Sequence, residues 1–205
     1  TRVHTTDLGR AASSVSLPVG YYKKSVSPAY FDLKKSPYML VLGNDNDAIG
    51  MYMRGLHEAC AHADGLRYRL VDMQGLLGDV QDPCVVADDA ALERLVAELA
   101  EERPPFDLLV FTSIVQTMAM GGPTRELEDY LAHEKGVGKV SIVAATELWR
   151  ARSVYDDWYR VVSAYGNGVW VGGGFADQTT FAFSRMLPEY RLPPARSDGF
   201  LVMRG

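Results

Sequence analysis

A short apolar run followed by a glycine-containing turn and an amphipathic segment constrains the fold of this chain most strongly. Residues 38–42 are apolar, residues 43–50 have the sequence Gly-Asn-Asp-Asn-Asp-Ala-Ile-Gly, and residues 47–63 have the pattern of a helix. A strand, a glycine turn and a helix in this order are typical of α/β proteins that hold phosphates, because free N–H groups at a helix N-terminus point at the anion. The sequence therefore predicts such a corner at residues 43–50.

The residues of this turn differ from those that a bound nucleoside triphosphate requires. In the P-loop pattern Gly-x-x-x-x-Gly-Lys-Ser/Thr, the Lys reaches the terminal phosphates and the hydroxyl holds Mg²⁺. Here Ala48, Ile49 and Gly50 stand at the last three positions. The carboxylates of Asp45 and Asp47 would each cost on the order of several kcal/mol within ~5 Å of a phosphate. The turn is therefore either a structural connection, a degenerate nucleotide site, or a weak anion site built from backbone N–H groups.

Predicted strands and helices alternate along the rest of the chain. The strands are predicted at residues 17–24, 28–33, 66–72, 106–112, 140–145, 168–171 and 200–203, and the helices at 90–102, 124–133 and 155–164. This alternation predicts an α/β fold with a mainly parallel, doubly wound sheet. Residues 1–16 are polar and lack periodicity, so we expect a linker or flexible N-terminal segment before a single domain at 17–205.

A second position that an ATPase of this kind needs is the end of another buried strand. An acid there holds Mg²⁺ and polarises the attacking water. The apolar run 108–111 ends instead in Thr112 and Ser113, which carry no charge at neutral pH. Both positions therefore lack the expected chemistry, and we expect neither a catalytic residue nor bound ATP and Mg²⁺ unless the degenerate site retains binding.

Composition excludes several classes of function. The net charge of −5 provides no basic footprint for nucleic acid or anionic lipid. No apolar run approaches the roughly 18 residues of a membrane helix, and no signal peptide opens the chain. Cys60 and Cys84 are isolated in the sequence, so we expect reduced, structural thiols. Because the chain begins with Thr rather than Met, we also expect a fragment of a longer protein.

Several stretches share their order and spacing with one family of motor proteins. They are residues 19–22, 30–43, 104–112, 168–174 followed by Asp177 and Gln178, 192–196 and 199–204. Together they make the chain, over residues 17–205, similar to the last ATPase module of the FtsK/SpoIIIE-type translocase of type VII (ESX-like) secretion systems. The resemblance implies a RecA-like P-loop NTPase fold of three layers with a mainly parallel central sheet.

The resemblance also implies a place for the chain in a larger machine. Such a protein carries several ATPase modules on the cytoplasmic side of the cell membrane, behind a membrane anchor, and contacts other membrane components of the secretion machine. The modules engage small helical-hairpin substrates through a C-terminal signal. In some members the terminal module has lost its nucleotide chemistry. We therefore expect a degenerate module for substrate docking or for regulation of neighbouring modules, with no DNA partner. The alternative is an active translocase module that moves protein or DNA.

The degenerate site predicted from these patterns comprises the turn and the strand end. Its residues are Gly43, Asn44, Asp45, Asn46, Asp47, Ala48, Ile49 and Gly50, with Thr112 and Ser113. An unrelated α/β enzyme would need a perturbed acid–base pair, which the sequence does not indicate. His57 and His62 are five residues apart and do not share a helical face, so we expect no metal site.

Three other groups have a functional and a structural interpretation. Asp156 and Asp157 are either a carboxylate pair or acids at a helix start, where they favour the dipole. In an aromatic-rich stretch we expect most side chains in the core, while some could line a groove for a substrate helix; the stretch comprises Trp149, Tyr155, Trp158, Tyr159, Tyr165 and Trp170. The arginines could serve as arginine fingers for a neighbouring module or lie at solvated helix ends; they are Arg150, Arg152 and Arg160.

Overall fold

The computed structural model describes residues 2–4, 16–80, 82–132, 139–182, 188–191 and 198–203. The strands are β1 Arg2–His4, β2 Ser16–Tyr22, β3 Pro28–Asp32, β4 Tyr38–Gly43, β5 Tyr68–Val71, β6 Val85–Val86, β7 Leu108–Phe111, β8 Ser141–Glu147, β9 Gly168–Val171 and β10 Asp198–Val202. The helices are α1 Asn46–Ala61, α2 Asp89–Ala100, α3 Ile114–Met118, α4 Thr124–Ala132, α5 Leu148–Ala151 and α6 Asp157–Ala164, with 3₁₀ turns at Phe175–Asp177 and Pro188–Tyr190.

The strands of the described residues form one sheet in the order β3-β2-β1-β10-β9-β4-β8-β7-β5-β6. Strands β9, β4, β8, β7, β5 and β6 pair in parallel. Strands β3, β2, β1, β10 and β9 pair antiparallel. The predicted α/β fold with a parallel central sheet is confirmed. The antiparallel extension was not predicted, because it joins the two ends of the chain.

The sheet is the middle of three layers. Met39 and Val41 of β4 belong to a buried cluster with residues of α1, on one face of the sheet. Leu40 and Leu42 belong to the cluster on the other face, together with residues of α2, α3, α4, α5 and α6. Successive residues of β4 are thus buried on opposite faces, as expected for a central parallel strand. The three-layer arrangement agrees with the expectation from the sequence.

The strand register determines which residues meet at the carboxyl edge of the sheet. Gly43, the last residue of β4, is in register with Glu147 of β8 and with Val171 of β9. Strand β8 lies between β7 and β4. Strand β7 ends three residues before β4 does, because its last residue, Phe111, is level with Leu40. Three residues correspond to about 10 Å along a strand. Ligands of open α/β sheets bind outside this edge, so the candidate site is sought there.

Several short elements differ from the sequence prediction. Residues Arg2–His4 form β1 within the segment predicted as a linker. Residues 5–15 lie outside the described residues. Strand β6 and helices α3 and α5 were also not predicted. The predicted helix end at His133 and the glycines of 136–138 lie outside the described residues, as does the 192–196 stretch. No described helix combines the length and apolarity that crossing a bilayer requires.

Candidate functional site

The glycine loop caps the helix that follows it with one of its own carboxylates. Asp45 is the N-cap of α1, and its Oδ1 accepts the backbone N–H of Asp47 at 2.9 Å. The Asp45 carbonyl oxygen accepts the N–H of Ile49 at 3.1 Å. An Asp at this position satisfies a helix N–H group that has no partner within the helix. The chain itself thus supplies an anion at the place where a phosphate-binding loop presents N–H groups to its ligand.

The three residues at the Gly-Lys-Ser/Thr positions are buried beneath the loop. Ala48 and Ile49 belong to the cluster between α1 and the sheet, and the side chain of Ile49 is 1% exposed. A Cβ built on Gly43 would lie 3.4 Å from Ile49 Cγ1, so the Ile side chain contacts the start of the loop. Gly50 is buried as well, and a Cβ there would lie 3.5 Å from the Leu76 carbonyl oxygen. Positions 48–50 are thus buried, and none of them offers a cation or a hydroxyl to a phosphate or to Mg²⁺.

The turn after β9 packs directly on the glycine loop. Gly174 has φ of 83° and so adopts the left-handed conformation that favours glycine. A Cβ built on Gly174 would clash with the side-chain amide nitrogen of Asn44, and one on Gly43 would lie 2.8 Å from the Val171 carbonyl oxygen. The turn at 172–174 and the loop at 43–50 therefore pack so closely that neither Gly43 nor Gly174 has room for a side chain.

Thr112 is hydrogen-bonded to an acid on the neighbouring strand. Its hydroxyl donates to Asp72 Oδ1 at 2.6 Å and to the Val71 carbonyl oxygen at 3.2 Å. Asp72 is 3% exposed and also accepts the N–H groups of Leu76 and Leu77, each at 2.9 Å. The carboxylate thereby holds the loop after β5. Arg54 of α1 donates to the Leu76 carbonyl oxygen at 2.8 Å, which ties this loop to α1.

Ser113 is engaged at the start of α3. Its Oγ donates to Gln116 Oε1 at 2.6 Å, and its carbonyl oxygen accepts Thr117 Oγ1 at 2.9 Å. Because β8 separates β7 from β4, the sheet does not place Thr112 or Ser113 next to Gly43. The two halves of the predicted site are therefore connected indirectly, through Asp72 and the loop that follows it.

Two acids at the carboxyl edge, Asp72 and Glu147, were not among the predicted site residues. Asp72 follows a buried strand and precedes a loop with two glycines, a signal that could have identified it. Glu147 ends β8 beside Gly43, is 6% exposed, and has its Oε2 3.0 Å from Arg150 Nε. The guanidinium of Arg150 also lies 4.2 Å from the ring centroid of Trp149, in cation–π geometry. The acid in register with the glycine loop is thus neutralised within the chain.

All three candidate arginines have partners within the chain. Arg150 pairs with Glu147, Arg160 donates to Asp157 Oδ1 at 2.7 Å, and Arg152 donates to the Asp177 carbonyl oxygen at 3.0 Å. Arg152 and Arg160 are exposed, as expected for solvated helix ends.

The remaining candidates are mostly structural. Asp156 is the N-cap of α6 and Asp157 lies in its first turn, which confirms the placement of both acids at a helix start. Within the aromatic group, Trp158, Tyr159 and Trp170 are buried, whereas Trp149 is 58% and Tyr155 86% exposed. The group therefore does not form one continuous groove.

The histidines of α1 contact other protein groups. His57 Nδ1 lies 3.2 Å from Tyr68 Oη, and its Nε2 lies 3.6 Å from Asp82 Oδ2. His62 Nδ1 lies 2.8 Å from the Glu58 carbonyl oxygen. In the part of the chain that the structure describes, no group of three or more His, Cys, Asp or Glu side chains could hold a metal ion.

The fold matches those of solved secretion ATPases. No protein-family model and no curated protein matches the sequence. EssC (ATPases 2 and 3) from Geobacillus thermodenitrificans matches with a TM-score of 0.72 and 15% identity, over 97% of this chain and 43% of that one. The chain has the fold of type VII secretion ATPase modules.

Two structures from Thermomonospora curvata support the same assignment of fold. EccC (ATPases 2 and 3) in complex with a signal sequence peptide matches with a TM-score of 0.67 and 19% identity, over 98% of this chain and 41% of that one. The cytoplasmic domain of the type VII secretion ATPase EccC matches with a TM-score of 0.64 and 19% identity, over 93% of this chain and 25% of that one. This chain spans less than half the length of each of these three structures.

Proposed function

We propose that this chain is a nucleotide-site-degenerate module of a type VII secretion motor, acting in export-substrate docking or in regulation of neighbouring ATPase modules. One observation carries the proposal: the Asp45 carboxylate accepts the Asp47 N–H at the N-terminus of α1. In an active module of this fold, that end of the helix would face the phosphates of ATP.

The residues of the loop do not fit a triphosphate. A phosphate near the start of α1 would meet the carboxylates of Asp45 and Asp47, and would have to displace the first from its hydrogen bond. Ile49 is in the core and offers no charge to the terminal phosphates, and Gly50 offers no hydroxyl to Mg²⁺. Asn44 lies against Gly174, so the turn after β9 closes the loop from the other side.

The two acids identified at the strand ends, Asp72 and Glu147, already have partners within the chain. Asp72 accepts three hydrogen bonds from Thr112, Leu76 and Leu77, and these occupy both of its carboxylate oxygens. Glu147 is paired with Arg150. We therefore propose that the chain neither binds ATP and Mg²⁺ as cofactors nor turns ATP over, and that its role is one of binding or control.

The proposed partners follow from the solved relatives. EccC has been solved with a signal sequence peptide, which supports a C-terminal signal of a small helical-hairpin substrate as a partner of this chain. EssC and EccC structures contain two ATPases in one chain, which supports neighbouring modules as partners. We place the chain on the cytoplasmic side of the cell membrane, as part of a membrane-anchored protein with other membrane components. The net charge of −5 opposes DNA binding.

Calorimetric titration with ATP–Mg²⁺, beside titration with the C-terminal signal peptide of an export substrate and its scrambled form, tests the proposal. We expect no heat of ATP binding at ATP concentrations up to about 1 mM. A dissociation constant of about 1 mM corresponds to a binding free energy of only about −4 kcal/mol. A docking role requires the signal peptide to bind more tightly than its scrambled form. If neither peptide binds, the regulatory role remains to be tested with the neighbouring module. Mg²⁺-dependent ATP hydrolysis that disappears on Asp45→Ala or Glu147→Gln would contradict the proposal.

The alternative, an active translocase module, has one observation in its favour. Glu147 lies in register with Gly43, so an acid is present at the carboxyl edge beside the glycine loop. For Glu147 to act on a nucleotide, it would have to leave Arg150. This alternative predicts that Glu147→Gln abolishes a measurable ATPase activity, and that DNA stimulates turnover in a salt-dependent way if DNA is the cargo.

A further inference from the structure

A groove lies between α2 and α4, on the side of the sheet opposite α1. Its volume is about 410 Å³, and it is lined from the two helices mainly by Glu93, Val96, Ala97, Ala100, Glu126 and Tyr130. The α2 residues among these have the spacing i, i+3, i+4, i+7 and therefore share one face of the helix. Seven residues of helix extend for about 10 Å, so the groove is about two helical turns long.

Apart from Glu93 and Glu126, the side chains that line the groove are apolar or aromatic. Ala97 and Ala100 are exposed on α2, so no large side chain of that helix covers the groove. Tyr130 Oη is buried and has no hydrogen-bond partner among the described residues. Burial also raises the pKa of Tyr130, so its hydroxyl keeps its proton. Because Oη is buried, a partner in the groove would be held by the apolar side chains and the rim, without a hydrogen bond to this hydroxyl.

The rim of the groove is acidic. Glu93 on α2 and Glu126 on α4 are both exposed, and within the described residues neither has an ion-pair partner. Within α4, the acids Glu126, Glu128 and Asp129 outnumber the one basic residue, Arg125. Negative charge is thus in excess around α4, and it favours a partner that brings positive charge.

We propose that the groove between α2 and α4 docks a basic amphipathic helix of a partner protein. Aliphatic side chains of that helix, spaced i, i+3, i+4, i+7, would occupy the space over Ala97 and Ala100, as in other helix-in-groove complexes. Its Lys or Arg residues would pair with Glu93 and Glu126. This inference goes beyond the proposed function, because it does not depend on whether the glycine loop binds nucleotide.

Binding of a labelled Leu/Lys peptide tests the charge complementarity. The probe is a synthetic amphipathic helix of about four turns, with Leu on one face and Lys on its flanks. By fluorescence anisotropy with the full 205-residue chain, we expect micromolar binding. The charge reversal Glu93→Lys/Glu126→Lys should weaken binding by about tenfold or more, equivalent to at least about 1.4 kcal/mol. The control Asp64→Lys/Glu102→Lys makes the same change in net charge at exposed positions outside the groove and should leave affinity within about twofold.

Filling the groove tests the apolar part of the proposal. Ala97→Trp places a large side chain in the groove, and we expect it to abolish binding. Ala61→Trp adds the same side chain at an exposed position at the end of α1, on the other side of the sheet, and we expect no effect. Tyr130→Phe keeps the ring and removes only a buried hydroxyl, so we expect it to leave binding unchanged.

Three results would overturn the proposal. The first is an absence of binding to the unmodified chain. The second is an equal loss of affinity in the Glu93→Lys/Glu126→Lys and Asp64→Lys/Glu102→Lys variants, which would indicate attraction to net charge alone. The third is equal binding to the Ala97→Trp and Ala61→Trp variants, which would place the peptide elsewhere. None of these results would bear on ATP binding, so failure here and failure of the proposed function are distinguishable.

Discussion

Thr112 Oγ1 donates a hydrogen bond to Asp72 Oδ1 at 2.6 Å, between the ends of β7 and β5. Thr112 stands where an active ATPase of this fold would have an acid, and it donates its hydrogen bond to an acid at the end of the neighbouring strand. Asp72 in turn holds the loop after β5, whose Leu76 carbonyl oxygen is bound by Arg54 of α1. The side chain of Thr112 thus supports the packing of a loop against α1.

Restoring an acid at position 112 should destabilise the protein. Thr112→Asp would place a second carboxylate within hydrogen-bonding distance of buried Asp72. Two such groups cannot both be ionised without a large cost, so we expect the free energy of unfolding in urea at pH 7 to fall by about 3–5 kcal/mol. Part of the loss should be recovered at low pH, where one carboxyl binds a proton. Thr112→Ser keeps the donor and should cost only about 1 kcal/mol. Equal stability of the two variants would contradict the role of Asp72.

A lysine at position 49 should disrupt the core and restore no nucleotide binding. Ile49→Lys buries an unpaired ammonium in the cluster between α1 and the sheet, and we expect a loss of about 3–4 kcal/mol in the free energy of unfolding. Met51→Lys is the matched control, since Met51 is on the same helix and 37% exposed, and its effect should stay within about 0.5 kcal/mol. Chemical denaturation measures both. A stable Ile49→Lys variant with new ATP affinity would contradict our description of the loop.

The contact between the turn after β9 and the glycine loop can be tested with two neighbouring glycines. Gly174→Ala meets Asn44 and requires a positive φ, so we expect a loss of about 1–3 kcal/mol in the free energy of unfolding. A Cβ on Gly173 has no atom within 4 Å, and Gly173→Ala should change stability by less than about 0.5 kcal/mol. Thermal unfolding compares the two. Similar melting temperatures would show that the two loops do not restrain each other.

The two cysteines should differ in reactivity toward a thiol reagent. Burial raises the pKa of Cys60 from 9.0 to about 12, whereas Cys84 is half-buried, and its pKa is raised by that partial burial and by the nearby Asp82. Only the thiolate reacts, so labelling at pH 8 followed by mass spectrometry should modify Cys84 well before Cys60. Faster labelling of Cys60 would indicate that α1 opens from the sheet.

Cys60 also gives stability a dependence on high pH. Its pKa is higher in the folded chain, so the unfolded chain releases the proton first as pH rises through about 9. The contribution of Cys60 is fully present below pH 9 and is lost progressively between pH 9 and about 12. In Cys60→Ala, the free energy of unfolding should fall less steeply over this window, although the variant starts from a lower stability. Parallel pH profiles would contradict this assignment.

The periodic segments were predictable because their signals are local. Asp88 directly precedes α2, and an Asp at this position is a common N-cap; its Oδ1 accepts the Ala91 N–H at 2.7 Å. Helix α1 and strand β4 also lie within about two residues of their predicted bounds. The elements that were not predicted, β1, β6, α3 and α5, have five residues or fewer, too few to establish a periodic pattern.

Sequence reasoning identified the unusual chemistry at positions 48, 49, 50, 112 and 113, because those residue types are visible without coordinates. It did not predict where their side chains point, or that Asp72 and Glu147 lie at the carboxyl edge with them. The Thr112–Asp72 hydrogen bond joins residues 40 positions apart, and the Gly43–Glu147 pairing depends on the register of two parallel strands. No local pattern contains that information.

Apolar periodicity, glycine positions and capping residues by themselves determined which segments of this chain become strands and helices, since those preferences arise from the backbone and its near neighbours. Only the tertiary structure decided which strand ends meet. Strand order depends on burying both faces of the sheet at once, an energy shared by residues far apart in the chain. That packing brings Asn44 against Gly174 and Thr112 against Asp72, and it leaves the groove between α2 and α4 open.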